Sequence, residues 1–378
     1  MAGSKASSWL QKLEEQLNVD VDWVDAKYIS TMPERLGLKA HDSTSNQLWV
    51  DTELYNEANR ELLVETAKEL KDKGWLHIYT RVSVLLCKKN IDNIQGRVLL
   101  QTSPAKAYDE QATLDHARLL DQEFARVGID RSRYCIKIPS TGPALNAAKV
   151  LSNEKDENGL PIETLGTAIF GLPQAIAASQ ANMLYISPYL NEIPAHSDLS
   201  LWPDVEDPAT QHPMSARIVQ ILDTYKRLHK ATGKPQPRMK LASFISAKEA
   251  MAAAEWGCHS ATLSPKMLDE LAKLDYDASK QPGEGIPKPD SGVEFYAVGK
   301  ETPGRLRKLI KEDPLAAAEW DGKLASTEVD YLADGGKELD TAVEKDPITK
   351  TRLAASLEMF KDAEIKSRAK IEAILSTM

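Results

Sequence analysis

The sequence predicts an α/β protein, a (β/α)8 TIM barrel carrying extra C-terminal helices. Three observations lead there: eight short apolar runs of strand character, helical patterns between most of them, and polar residues at the carboxyl ends of the runs. Strict β–α alternation implies a parallel sheet, and eight such units close naturally on themselves. In a barrel the strand ends converge on one site. Asp22, Asn46, Gln101, Lys137, Thr167, Ser187 and Ser243 each fall within or just after a predicted strand, so they are candidates to meet there.

Taken in order, a short amphipathic helix from Trp9 to Leu17, capped by Ser8, precedes the alternating strand Val19–Asp22. A second strand is expected over Leu38–Thr44, followed by a Glu- and Lys-rich helix from about Thr52 to Lys73. The third strand, Gly96–Thr102, leads to a well-patterned helix from Asp109 to Arg126, and the fourth is Tyr134–Thr141. Next come a helix Pro143–Leu151, a polar loop Ser152–Gly159, a strand Ile162–Ala168, a helix Pro173–Ala181 and a strand Met183–Ile186. A long irregular loop, His196–Pro213, leads into the helix Ala216–Lys230, the strand Met239–Ser243, the helix Ala247–Trp256 and a last strand Ala261–Leu263.

The Pro- and Gly-rich segment 280–292 marks the end of the barrel, so residues 1–280 are expected to form it. Residues 281–378 read as a helical extension packed on it, with Lys311-Glu312-Asp313-Pro314 as a break between two helices. The length of 378 residues, with 42% hydrophobic and 27% charged content, suits one such barrel.

Composition also excludes function classes. A net charge of -9 and a pI near 5.5 disfavour nucleic acid or an anionic membrane as partner, since both need a basic stripe. The basic cluster Arg305-Leu306-Arg307-Lys308 reads as a solvated helix face. Mean hydropathy of -0.39 and the lack of any 18-residue apolar run argue against membrane spans. The first residues lack the apolar core of a secretory signal, so a cytoplasmic location is expected. Cys87, Cys135 and Cys258 stand in apolar surroundings without CxxC spacing, which implies reduced buried thiols and neither disulfides nor a zinc site. No strand is followed by GxGxxG or GxxxxGK[ST], so nucleotide-dependent chemistry lacks support. The seven histidines show no metal spacing and read as structural or solvent-facing, His196 and His212 in the long loop less clearly than the rest. Trp202, Trp256 and Tyr185 read as core or loop anchors.

The stretch Tyr134-Cys135-Ile136-Lys137-Ile138-Pro139-Ser140-Thr141 sets a lysine in the middle of an apolar strand. A buried ammonium costs several kcal/mol unless it is paired or neutral. Lys137 is therefore either the partner of a carboxylate or a desolvated amine of lowered pKa that can attack a carbonyl and form a Schiff base.

Four segments resemble the transaldolases and the related fructose-6-phosphate aldolases, class I enzymes that act through a lysine Schiff base on a (β/α) barrel. They are Gly96-Arg97-Val98 through Ala107-Tyr108-Asp109, Cys135 to Thr141, Leu184-Tyr185-Ile186-Ser187-Pro188-Tyr189, and Ala242-Ser243-Phe244 with Thr262-Leu263-Ser264-Pro265. The resemblance spans roughly Val19 to Leu271. It implies that Lys137 is the Schiff-base lysine and that Asp22 handles the proton of the hydroxyl beside the breaking C–C bond, with Asp20 and Asp25 as neighbouring alternatives. It implies that Asn46 bonds the donor hydroxyls, with Gln47 in place of a usual proline, and that Ser187 and Ser243 line the pocket. Small-molecule ketose and aldehyde substrates follow, with no cofactor, no metal, and a homodimer as a possible assembly.

The departures from the family pattern carry their own expectations. Gln101 stands where transaldolases have a glutamate and Tyr189 where they usually have phenylalanine; with Thr167 these match the residues that hold a catalytic water in the fructose-6-phosphate aldolases. Leu165 replaces an active-site asparagine, and Glu192 and Ile245 replace two phosphate-binding arginines. A glutamate repels a phosphate dianion where an arginine fork would grip it, so a substrate that is non-phosphorylated or atypically held is expected. Arg217, Lys234 and Arg238 are the candidates for a substitute grip. A water-protonated enamine favours aldol cleavage over transfer. The losses at Leu165, Glu192 and Ile245 also motivate a different class, a catalytically silent barrel that binds or assembles.

Overall fold

A computed structural model describes residues 7–281, 283, 288, 294–297 and 301–378. Eight strands, β1 (Asn18–Asp22), β2 (Ser43–Thr44), β3 (Val98–Gln101), β4 (Tyr134–Pro139), β5 (Thr164–Ile169), β6 (Tyr185–Pro188), β7 (Arg238–Leu241) and β8 (Ser260–Leu263), pair in sequence order. All pairs are parallel and β8 returns to β1, closing the predicted (β/α)8 barrel. Every residue of β3, β4, β5, β6 and β8 is buried, because helices cover the outer face and side chains fill the inner one. That double burial is why these strands read as near-continuous apolar runs.

β2 is shorter than the run Leu38–Thr44 predicts. Backbone bonds such as His41 N–H to the Val19 carbonyl continue before it, but two of the backbone N–H groups there go to carboxylates: Asp42 accepts from the Arg97 N–H at 2.7 Å, and Asp20 accepts from the Asp42 N–H at 3.1 Å. The segment after it also differs from a single helix over 52–73. Helix Gln47–Tyr55 stops at Asn56, which is extended and caps the next turn, and helix Arg60–Glu69 follows. Gly74, at φ 85°, then opens a helix Trp75–Asn90 that the sequence pattern does not announce. This helix has no polar stripe at its centre; Thr80, Arg81, Val82, Ser83 and Val84 are all buried, and Arg81 forms a fork with Glu123 at 2.8 and 2.9 Å.

Elsewhere local signals and structure agree. Ser8 and Gln11 form a capping box on helix Trp9–Gln16, as do Ser246 and Glu249 on helix Ala247–Trp256. The loop 196–213 holds only short helical turns, and the helix Pro265–Lys273, capped by Ser264, follows β8. The three cysteines are buried and free. The expected boundary at 280–292 lies mostly outside the described residues, as do residues 1–6. No helix among the described residues is long and apolar enough to cross a membrane.

The C-terminal part departs from the expected pair of helices split at Lys311–Pro314. Gly304–Lys311 is a 3-10 run, no helix follows until Ala333, and the two helices beyond are Ala333–Lys345, whose first turn is broken by left-handed Asp334, Gly335 and Gly336, and the long Pro347–Leu375. The break falls at Asp346-Pro347, where Asp346 caps and proline opens the last helix. Gly336 meets Gly142 backbone to backbone, so closely that a Cβ on either would stand about 2 Å from its neighbour, and Asp340 accepts from the Gly142 N–H at 2.8 Å. The last helix then crosses the barrel. Thr349 bonds Arg217, Glu364 accepts from Ala105 beyond β3, and Ser367 donates to Asp51 beyond β2 at 2.8 Å. Two of these contacts are with segments that follow strand carboxyl ends, so the helix lies over the barrel mouth.

Candidate functional site

Strand periodicity builds the site in layers. Residues two apart on a strand share a face and differ in depth by about 7 Å. On β1 this puts Asp20 in the deeper layer and Asp22 at the rim. The deep layer also holds Lys240 of β7, whose ammonium lies 2.9 Å from Asp20 and 2.7 Å from Asp42, all three side chains fully buried. Tyr185 covers it, with the ammonium 4.5 Å from the ring centre. The two carboxylates hold Lys240 firmly charged, its pKa raised. Asp42 is pulled well below the usual carboxylate range against its burial, whereas burial pushes Asp20 up to about 6. Asp20, Asp42 and His41 are spaced closely enough to ligate a metal, but the lysine already supplies the cation. Leu99, Cys135, Leu165 and Tyr185 form an apolar patch inside the barrel.

Above this layer a cavity of ≈ 310 Å³ opens at the carboxyl ends of the strands. Lys137, Asp22, Asn46, Tyr189, Ser187 and Ser243 all line it. Lys137 is 5% exposed, and its side-chain amine has no hydrogen bond or ion pair among the described residues. Burial lowers its pKa, with Asp22 opposing. The register places Gln101 on one side of it and Leu165 on the other. Asp22 is oriented by the Thr44 hydroxyl, which donates to it at 2.8 Å. Asp25 is elsewhere occupied: it caps helix Ala26–Leu36, accepting from the Tyr28 N–H at 2.6 Å.

The remaining candidates divide between the cavity and its surroundings. Asn46 caps helix Gln47–Tyr55 through Oδ1, 2.9 Å from the Leu48 N–H, which leaves its amide hydrogens without a partner among the described residues. Gln47 donates to the carbonyls of Gln101 and Thr102, tying down the end of β3. Gln101 itself is 3% exposed, and neither its side-chain oxygen nor its nitrogen has a partner among the described residues. Thr167 and Tyr189 are bonded at 3.0 Å, and burial keeps the phenol protonated by raising its pKa. Leu165 packs into the inner apolar patch and does not line the cavity. Glu192 is also outside the lining, with its carboxylate 3.6 Å from Arg352 of the last helix.

Residues 21–298 match the family model described as Transaldolase/Fructose-6-phosphate aldolase. This chain belongs to that family. Among its relatives, it is 29% identical to the transaldolase of Synechocystis over 320 residues, covering 82% of this chain and 74% of that one. It is 28% identical to the transaldolase of Rhizobium etli over 316 residues, covering 82% and 90%. The transaldolase of Prochlorococcus marinus is 28% identical over 296 residues, 75% of this chain and 80% of that protein. The chain is thus an enzyme of the transaldolase and aldolase kind.

Within this transaldolase-family barrel, the three basic residues considered as a substitute phosphate grip are not at the mouth. Arg238 begins β7 and Lys234 precedes it, so both stand at the opposite end. Arg217 is buried and occupied by Asp313 at 3.1 Å, Asp346 at 2.8 Å and the Phe170 carbonyl at 2.9 Å. Among the described residues lining the cavity, Lys137 is the one lysine and there is no arginine. Several lining residues carry no sequence signal. Met359 and Phe360 come from the last helix, over two hundred positions from Lys137, and Trp49 from the helix after β2. His196, 2.8 Å from Ser243, also lines it; its place in an irregular loop gave no periodicity to read.

Proposed function

We propose that this enzyme makes or breaks a carbon–carbon bond of a ketose with a dihydroxyacetone-type end, through a Schiff base on Lys137. The observation that carries this reading is a buried amine without a counter-ion, lowered in pKa, in a cavity beside Asp22. Burial disfavours the charged form of this amine, so it gives up its proton more readily than a solvated lysine and can then attack a carbonyl carbon. Loss of water gives an iminium. It accepts the electrons of the adjacent C–C bond while the Asp22 carboxylate takes the proton of the neighbouring hydroxyl. One aldehyde leaves and an enamine stays on Lys137. Asn46, Ser187 and Ser243 supply hydrogen-bonding groups for the hydroxyls of the retained fragment.

The enamine has two fates. Addition to an incoming aldehyde is transfer; protonation and hydrolysis is cleavage. The unpartnered amide of Gln101 and the Thr167–Tyr189 pair supply the hydrogen-bonding groups that hold a water for the second route. Gln101 orients that water and cannot exchange a proton with it as a carboxylate would. The absence of arginine from the described lining supports a substrate without a phosphate at the far end.

Borohydride reduction in the presence of dihydroxyacetone is expected to fix a covalent adduct on the Lys137 peptide. If intact mass stays unchanged across a panel of ketones, and Lys137→Met removes no activity, the Schiff base is excluded. A silent binding barrel is not favoured, since an idle site has no need of a desolvated amine facing a carboxylate in an open cavity. Turnover of any ketose by the intact protein, lost in Lys137→Met, eliminates it.

A further inference from the structure

We propose that His196 selects an unphosphorylated substrate, its Nδ1 accepting a hydrogen bond from a substrate hydroxyl at the cavity mouth. This deepens the ketose reading above and rests on it.

The tautomer follows from the bonds around Ser243. Its Oγ lies 2.8 Å from the Asn191 carbonyl oxygen, which can only accept, so the hydroxyl hydrogen is committed there. The same Oγ lies 2.8 Å from His196 Nε2 and must accept from it. Nε2 therefore carries the hydrogen, and in the neutral ring Nδ1 carries a lone pair. Partial desolvation favours that neutral ring, lowering the His196 pKa, with Asp22 opposing. Nδ1 has no partner among the described residues, and the ring lines the cavity beside Ile193, Ser243 and Phe244.

Ser243 is not free to swing away from this arrangement. It sits at φ 69°, a left-handed conformation uncommon for a residue with a Cβ. Its carbonyl is held by both the backbone N–H and the side-chain amide of Asn191, at 3.2 and 2.9 Å. Asn191 is fixed in turn by Glu249 at 3.0 Å and His212 at 3.2 Å. The backbone and side chains thus fix the oxygen that aims His196. A hydroxyl offers a hydrogen to a lone pair, while a phosphate dianion offers only lone pairs of its own and finds, among the described lining residues, no arginine and no lysine besides Lys137. A site built to accept from a hydroxyl discriminates against groups that cannot donate.

Calorimetric titration of D-fructose and of D-fructose 6-phosphate into Lys137→Met protein tests this without any covalent step. Adding His196→Ala is expected to weaken fructose about tenfold and to leave fructose 6-phosphate unchanged or tighter. His196→Gln, which keeps an N–H for Ser243 and a carbonyl acceptor, recovers most of the loss, and His196→Arg shifts the preference to the phosphate. Equal weakening of both sugars, an unchanged fructose affinity in His196→Ala, or no fructose binding at all overturns the proposal. Failure of borohydride trapping with dihydroxyacetone sinks the Schiff base alone, because the calorimetric comparison does not use the Lys137 amine.

Discussion

Two lysines lie inside this barrel, one strand layer apart in depth, and they have opposite surroundings. Lys240 is clamped between Asp20 and Asp42, all three side chains fully buried, its charge secured. Lys137 faces a cavity and has no ion pair among the described residues, its charge disfavoured by burial. A lysine buried in a strand can thus be a structural cation or a latent nucleophile. What separates them is the count of carboxylates within reach: two for Lys240, against a single, already hydrogen-bonded Asp22 near Lys137.

The contrast can be broken most decisively at Lys137. Lys137→Met is expected to lower ketose turnover by about 10⁴-fold or more and to abolish the borohydride adduct. Lys240→Met leaves two buried carboxylates facing each other, and is expected to cost about 3–5 kcal/mol of stability, read from urea unfolding. Trapping at Lys137 per folded molecule should survive that change; if it does not, the two layers are coupled and the contrast is too simple. Tyr189→Phe is expected to slow cleavage about 10²-fold while leaving transfer to an added aldehyde less affected, measured as the ratio of the two products.

The smallest effects carry the sharpest sign. Lys137→Met is expected to raise stability by about 0.5–2 kcal/mol, opposite to Lys240→Met, because it removes a desolvated amine. A lysine whose folded pKa is depressed binds fewer protons folded than unfolded, so its penalty fades as pH rises toward the unfolded value near 10.4. The stabilisation by Lys137→Met should therefore shrink between pH 7 and 10.4. Lys240, with its pKa raised, contributes stability that is fully present below the unfolded pKa and is lost only above it. Its variant should show a constant deficit over the same range. Parallel pH profiles for the two variants would dissolve the distinction between them.

The barrel order was legible because apolar strands and patterned helices alternate, and the same logic led to Lys137. It could not separate Asp20 from Asp22, since both point inward and only depth distinguishes them. Lys240 carries the same signature as Lys137, a lysine inside the apolar strand Met239–Ser243, and could have been flagged by it. Helix Trp75–Asn90 escaped notice because its central turns are buried on every side and so carry no clear amphipathic period. Met359 and Phe360 were beyond reach for a different reason: nothing local tells a helix which distant cavity it will roof.

That roof has a bearing on how the enzyme comes into being. Met359 and Phe360 leave the ribosome after all eight strands, so the apolar wall they add to the cavity is supplied only once helix Pro347–Leu375 has been made. A chain cut short before Pro347 would keep the lysine yet lose that apolar wall.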